Sequence, residues 1–234
     1  MQSYFISDLH LSAQRPHIIE LLLDFLASCD DAARLYILGD LFEAWIGDDY
    51  ADPAMQPVIQ ALQKFSRNTD CFIMHGNRDF LIGSDFVKQT GFELLPDEIV
   101  IDLNGRKTLL LHGDTLCTDD VDYQTIRKQV RTPQWKNQVL ALPTQQRLSM
   151  AKQFRMDSDQ SKSQKSEEIM DVNQQAVIDI MQHHAVNLLI HGHTHRLAIH
   201  EFTLDNAPAK RIVLGDWYKT RSVLVCGPTG ENFL

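Results

Sequence analysis

Layered β-sheets flanked by helices, an α/β fold with one helical insertion, is the architecture that this 234-residue chain predicts. Two observations carry the prediction. Five apolar, strand-like runs each stop at a potential metal ligand, in the contexts FISDLH, YILGDLFE, FIMHGNRD, LLLHGD and LLIHGHTH. Ligands just beyond the carboxyl ends of strands are where open α/β sheets build their sites. Between the fourth and fifth runs, from about 120 to 184, the strand pattern disappears and helical patterns replace it.

The elements follow in order. A strand over 2–7 leads to Asp8 and His10, and a helix over 16–28 opens at Pro16, a residue suited to a first helical position. A strand over 34–38 delivers Asp40, and Asp52 with Pro53 caps and opens a helix over 53–66. A strand over 71–75 delivers Asn77, and a short helix then runs to Gly91. Residues 97–103 and 106–111 alternate about Asn104-Gly105, a strong hairpin signal, and the second of them delivers His112. Helical stretches over 120–131, 134–141, 144–155 and 166–183 are divided by Pro133, Pro143 and the polar DSDQSKSQKS segment. Strand character returns over 186–190, delivering His193 and His195, and continues over 197–204, 210–215 and 221–226, with a turn at Asp205-Asn206. The length suits a single domain, 1–234, that carries an insertion at about 120–166.

Composition narrows the function classes. With 44% hydrophobic and 23% charged residues the chain is an ordinary globular protein. Cys29, Cys71, Cys117 and Cys226 are scattered, which suits buried thiols in a reducing compartment rather than a disulfide framework. No secretory signal pattern opens the sequence, and its longest apolar stretch is too short for a bilayer span. A cytosolic protein, or one attached to a membrane from the cytosolic side, is expected. The net charge of −9 is uneven: residues 124–165 hold nine Lys or Arg against Asp157 and Asp159. Such a basic island suits phosphate groups or anionic lipid, or is a set of solvated helix faces; nucleic acid calls for a broader basic surface.

Asp8 and His10 are two residues apart, as are His193 and His195, so on extended backbone each pair points to one side. Asp40, Asn77 and His112 add one group each. A carboxylate can bridge two cations, whereas imidazole and carboxamide bind one. Seven such side chains fit two metals roughly 3.5–4 Å apart, the separation that activates water and clamps a phosphoryl oxygen. The mixed N/O donors without thiolate admit Mn²⁺, Fe²⁺ or Zn²⁺, and the oxygen content favours two Mn²⁺.

The ordered segments DxH, GDxxE, GNRD, HGD and GHTH resemble the motifs of the calcineurin-like metallophosphoesterases. That resemblance implies the metallophosphoesterase fold, with Asp8, His10, Asp40 and His195 on one metal, Asp40, Asn77, His112 and His193 on the other, and Asp40 as the bridge. Glu43 and Asp114 would orient ligands rather than bind metal. Many members carry GNH where this chain has Arg78, and that histidine is thought to protonate the leaving group. A guanidinium stays protonated, so Arg78 cannot be a general acid, but it can pair with phosphate and neutralise charge. The site then favours a leaving group that needs no proton, such as a phosphate ester with a second pKa of about 6. Cleavage of a phosphoanhydride is the expected reaction, with Asp40, Asn77, Arg78 and His112 as catalytic residues.

The strings GDLFEAWIGDD, HGNRDFLIG and HGDTLCTDD are similar to those of one branch, the UDP-2,3-diacylglucosamine pyrophosphatases of bacterial lipid A synthesis. The likeness spans nearly the whole chain. It implies Mn²⁺-dependent hydrolysis of UDP-2,3-diacylglucosamine to UMP and the diacyl sugar 1-phosphate, by water attack at the phosphorus nearer uridine. It also implies substrate contacts from Asn77, Arg78, Asp120, Ser158, Lys162, Lys165 and His193, a peripheral position on the cytoplasmic face of the inner membrane, and a monomer. Tyr123 is a further candidate contact without motif support. In the insertion, Ile126, Val130, Trp135, Val139, Leu140, Leu142, Leu148 and Phe154 recur at near-helical spacing; by pattern alone they are a core-packing face, and by the resemblance a seat for acyl chains. His17, His183, His184 and His200 fall outside the ligand pattern. His75 and His191, each two residues before a proposed ligand, either support those ligands or simply pack. Trp45 and Trp217 read as core or pocket wall rather than chemistry. Two other readings compete: a soluble nucleotide pyrophosphatase or phosphodiesterase using the same metals, and a scaffold that kept the fold and lost the chemistry.

Overall fold

The computed structural model describes residues 2–29, 32–164, 169–228 and 230–234, with the backbone alone for 159 and 161–164. Two sheets face each other, with helices on their outer faces. The six-stranded sheet runs β11-β10-β1-β2-β3-β4 and the five-stranded sheet β5-β6-β7-β9-β8. In chain order the strands are Gln2–Ile6, Ala32–Leu38, Asp70–Met74, Glu93–Leu94, Glu98–Leu103, Arg106–Leu111, Leu188–His191, Ala198–Leu204, Ala207–Val213, Leu224–Gly227 and Gly230–Phe233 (β1 to β11). The helices are Pro16–Ser28, Gln56–Phe65, Ser84–Thr90, Val121–Val130, Pro133–Leu140, Thr144–Gln164 and Gln174–His183 (α1 to α7).

The alternation of side chains along each central strand explains the layers. Tyr4 and Ile6 of β1, Leu35 and Ile37 of β2, and Ile73 of β3 face a core shared with α1 and α2. Their neighbours Phe5, Tyr36, Leu38 and Met74 face the second sheet, meeting Leu110, Leu188, Ile190 and Ile212. Leu109, Leu111 and Leu189 point the other way, onto Val177 and Met181 of α7. Period-two backbone with both faces apolar can only be a strand buried on both sides. Phe5, Tyr36 and Phe72 stack across β1, β2 and β3 with ring centroids 4.8 Å apart at each step. In α1 the buried residues Ile18, Leu22, Phe25 and Leu26 form one helical stripe.

Several expected boundaries shift. The polar segment after 155 does not break the helix: the backbone of α6 continues to Gln164, and Gln153 donates to Asp157 one turn on at 2.7 Å. Serine and aspartate are mediocre helix formers, but the segment holds neither glycine nor proline to stop the chain. Among the described residues the next helix starts at Gln174, where Asn173 caps it by accepting from the amides of Gln175 and Ala176; the expected start at 166 lies outside them. Two short strands went unread, β4 with two residues and β11 with the polar sequence GENF, both at a sheet edge where burial leaves no alternating pattern. The Asn104-Gly105 hairpin forms as expected, and Asp205-Asn206 turns β8 into β9 with both residues at positive φ.

Candidate metal centre

Strands β1, β2 and β3 are parallel, as are β6 and β7, so the loops that follow them open on one edge. Asp8 and His10 follow β1, Asp40 follows β2, Asn77 follows β3, His112 directly ends β6, and His193 and His195 follow β7. The backbone there is not extended. Asp8, His10, Asp40, His193 and His195 all have φ between 51° and 70°. Left-handed backbone is unfavourable for these residue types and persists only where surrounding contacts over-determine it. Those contacts are present: Asp8 and His10 amides donate to the carbonyls of Gly39 and Asp40 at 3.2 and 3.0 Å, and Gly192 donates to the carbonyl of His112 at 2.8 Å. A Cβ on Gly76 would collide with the Asp40 carboxylate and backbone, so only glycine lets these two loops touch.

All seven side chains converge. His10 Nε2 lies 3.2 Å from His195 Nε2, and His195 Nε2 lies 3.5 Å from Asp8 Oδ1. Asp40 Oδ2 sits between two imidazoles, 3.7 Å from His10 Nε2 and 3.8 Å from His112 Nε2. Asn77 Oδ1 is 3.1 Å from His112 Nε2 and 3.0 Å from His193 Nδ1. Asp8, His10, Asp40 and His112 are buried, and the other three half-buried.

The groups around them fix their orientation. Ser7 Oγ and the His193 amide both donate to Asp8 Oδ2, at 2.6 and 2.8 Å, leaving Oδ1 turned inward. The Arg78 amide donates to Asp40 Oδ1 at 2.8 Å, leaving Oδ2 inward. His112 Nδ1 faces the Leu38 carbonyl at 2.8 Å, which directs Nε2 into the cluster. Glu43 lies 3.7 Å from His10 Nδ1 and Asp216 3.3 Å from His195 Nδ1. Asp114 Oδ2 accepts from Tyr123 and Arg127 at 2.6 and 2.7 Å, and its charge acts on His112 and His193. Asp79 was missed. Fully buried, it accepts from the amides of Asp40, Leu41, Phe42 and Gly76 and so staples the β2 and β3 loops together. Its signal was the fourth letter of GNRD, an acid with no metal role that a buried position must satisfy with donors. The rings of His75 and His191 face the carbonyls of Ile82 and Gly192. Trp45 and Trp217 are core, as read.

Electrostatics among the side chains show the demand of the cluster. Burial together with Asp79 and Asp8 pushes the Asp40 carboxyl up, against His112 and Arg78. Burial would also raise Asp8, but His195, His112 and His10 outweigh it and hold the carboxyl well below its ordinary range. Burial likewise works against charge on His112, yet Asp40, Asp8 and Asp114 carry it upward, while His10 is driven well down by burial. Asp8 Oδ1 and His10 Nδ1 are buried with no hydrogen-bond partner among the described residues. Inward-facing oxygen and nitrogen lone pairs around two buried carboxylates need positive charge between them. Two overlapping groups, Asp8 with His10 and His195 and Asp8 with Asp40 and His112, bring donor atoms within 4.8 Å of one another. The donor set fits a dinuclear metal centre.

The outer expectations fare unevenly. Asp120 caps α4, accepting from the Tyr123 amide at 3.1 Å, and Tyr123 stacks on the His193 ring at 6.0 Å. Ser158 lies in the distal part of α6, half-buried. The side chain of Lys162 and all of Lys165 lie outside the described residues. The basic island is less free than its composition implies. Arg127 pairs with Asp114 and Asp97, Arg131 with Asp97, Arg147 with Asp49 and Arg155 with Glu43, so four of its cations bind the helical segment to the core.

Residues 1–197 match the calcineurin-like phosphoesterases. The chain belongs to that family. Among curated calcineurin-like relatives, the UDP-2,3-diacylglucosamine hydrolase of Chromohalobacter salexigens is 51% identical over 93% of this chain and 89% of its own length. Those of Serratia proteamaculans and Aeromonas salmonicida are 50% and 48% identical, over 96% and 100% of this chain and 94% and 92% of theirs. A solved archaeal phosphodiesterase superposes with a TM-score of 0.50 at 12% identity, covering all of both chains, and shows the same calcineurin-like fold.

Proposed function

We propose that this chain hydrolyses the pyrophosphate bond of UDP-2,3-diacylglucosamine, releasing UMP and 2,3-diacylglucosamine 1-phosphate for lipid A synthesis. Identity near one half, over about nine-tenths of both chains, to proteins that bear that hydrolase name carries the reading. Asp8, His10, Asp40 and His195 would hold one ion, and Asp40, Asn77, His112 and His193 the other, with Mn²⁺ preferred for a mixed oxygen and nitrogen donor set without thiolate. Two such ions, when bound, activate water and neutralise charge on the phosphoryl oxygens. Asn77 and His193 would also meet the substrate.

The chain's own residues set the leaving group. Arg78 is anchored by its amide on Asp40, and its buried Nε has no partner among the described residues. A phosphate oxygen would satisfy that donor, and the guanidinium stabilises charge that develops as the anhydride breaks. It supplies no proton, and a departing sugar phosphate needs none. Water attack at the phosphorus nearer uridine makes the diacyl sugar phosphate the leaving group.

The helical segment between β6 and β7 is read as an insertion in one catalytic domain that receives the acyl chains. Val130 and Val139 are buried in it, whereas Val121 and Met156 are 67% and 64% exposed, and Ile126, Leu140 and Phe154 are also open. Exposed apolar side chains beside Lys128 and Lys152 suit a lipid and an anionic membrane surface. No helix among the described residues is long and apolar enough to cross a membrane. A peripheral monomer on the cytoplasmic face of the inner membrane fits this surface, with Asp120, Ser158, Lys162 and Lys165 contacting the substrate. The test is a Mn²⁺-reconstituted assay that follows UMP release from UDP-2,3-diacylglucosamine in detergent, beside simple dinucleotides. Turnover of dinucleotides at equal or better kcat/KM would favour a soluble nucleotide pyrophosphatase and refute the lipid substrate.

A further inference from the structure

A cavity of about 340 Å³ lies beside the metal centre but is lined by none of its seven ligand residues. Its walls include Thr194, Arg196, Ala198, His200 and Arg211, with Asp171 at one side. Arg211 is the unusual member. It sits on β9, only 6% exposed, and its Nη1 faces His191 Nε2 at 3.2 Å. Its Nε has no hydrogen-bond partner, and no carboxylate lies within ion-pair distance of it among the described residues. Asp171, the nearest source of negative charge, already accepts from Arg196 at 2.7 Å. Thr194 Oγ1 is a second buried polar atom without a hydrogen-bond partner among the described residues.

A buried guanidinium with an idle donor is costly, because desolvation is not repaid by a counter-ion. The environment registers that deficit: burial pushes Arg211 down against the pull of Asp171, and burial and then Arg211 push His200 down. His200 is the direct cross-strand partner of Arg211. The cavity also falls in the size range of small-molecule sites, roughly 300–1,000 Å³. Its polar groups offer donors, and Leu197 and Val213 give it an apolar wall.

We propose that this cavity is a second anion site, which binds a phosphate oxyanion through Arg211 Nε and the Thr194 hydroxyl. A guanidinium edge beside a hydroxyl is a donor arrangement suited to a tetrahedral oxyanion. The phosphate can come from inorganic phosphate or from a nucleoside monophosphate whose base lies on the apolar wall. Thr194 stands between His193 and His195, so an anion here touches the loop that carries two metal ligands from its other side.

The experiment is calorimetric titration of the metal-loaded protein with inorganic phosphate and, separately, with UMP. Two sites per chain are expected for phosphate, of which Arg211→Gln removes or weakens one by roughly ten-fold to a hundred-fold, the loss of a charge-assisted hydrogen bond. Ala198→Asp, which supplies the missing negative charge without deleting the arginine, should abolish the same site and leaves a test if Arg211→Gln fails to fold. Tighter binding of UMP than of phosphate at the Arg211-dependent site assigns the nucleotide as source, and equal binding assigns the free anion. A single phosphate site in the wild type, or two sites unchanged in both variants, overturns the proposal.

Discussion

Asp40 is the residue on which the centre turns, because one of its oxygens is spent on the Arg78 amide and the other lies between His10 and His112. Asp40→Ala should lower kcat by roughly three orders of magnitude or more, on the scale of losing a principal electrostatic stabiliser, and metal analysis should find fewer than two ions per chain. Near-normal turnover with two ions bound would remove the bridging role. Arg78 makes a separate prediction. Arg78→His should slow cleavage of the pyrophosphate substrate by about 10²–10³ while improving activity on esters with poor leaving groups relative to it. Unchanged selectivity between the two substrate types would defeat the leaving-group argument.

Elements meet at a few close approaches, and those are where sequence changes should be felt. Gly76 lets the β3 loop lie against Asp40. Gly76→Ala forces an overpacked contact of about 1–3 kcal/mol, so a lower Tm together with reduced metal content is expected; a variant with wild-type values for both would show that the loops can part. At the helical segment, Arg147 is buried, donating to the carbonyls of Ile46 and Leu142 and to the exposed carboxylate of Asp49. Arg147→Met leaves two carbonyls without their donor and should cost about 1–3 kcal/mol in denaturant unfolding at neutral pH. The hydrogen bond from Arg147 holds Asp49 below its usual carboxylate value of 3.8. A depressed folded pKa gives stability that is complete above the unfolded value and lost as pH falls through the folded one. The carbonyls do not titrate, so the gap between wild type and variant should persist down to about pH 4 and narrow only below it. A gap that closes already near neutrality would place its origin elsewhere.

At the scale of the molecule, two sheets hold the chemistry rigid while the helices between β6 and β7 present an open apolar surface. Replacing Val121, Ile126 and Phe154 together by serine should raise KM for the diacyl substrate several-fold with kcat for a short-chain analogue unchanged, since loss of uniform binding appears in KM. A fall in kcat for both substrates would instead make these side chains part of the catalytic support. The order of strands and most helix boundaries were readable because long runs were buried on both faces or on one stripe. The reach of α6 to Gln164 was not, because a polar helix carries no apolar period. The edge strands β4 and β11 escaped for the related reason that too few of their residues are buried to pattern them.

By itself the sequence determined which donors exist, in what order, and that each follows an apolar run; burial imposes those patterns locally, so they survive in one dimension. Only the tertiary structure decided how the donors are aimed. The left-handed backbone at Asp8, His10, Asp40, His193 and His195, the Asp79 staple and the pairing of Arg147 with Asp49, 98 positions away, all depend on partners distant along the chain. Such contacts are selected by the packing of the two sheets against each other, and no local propensity records them.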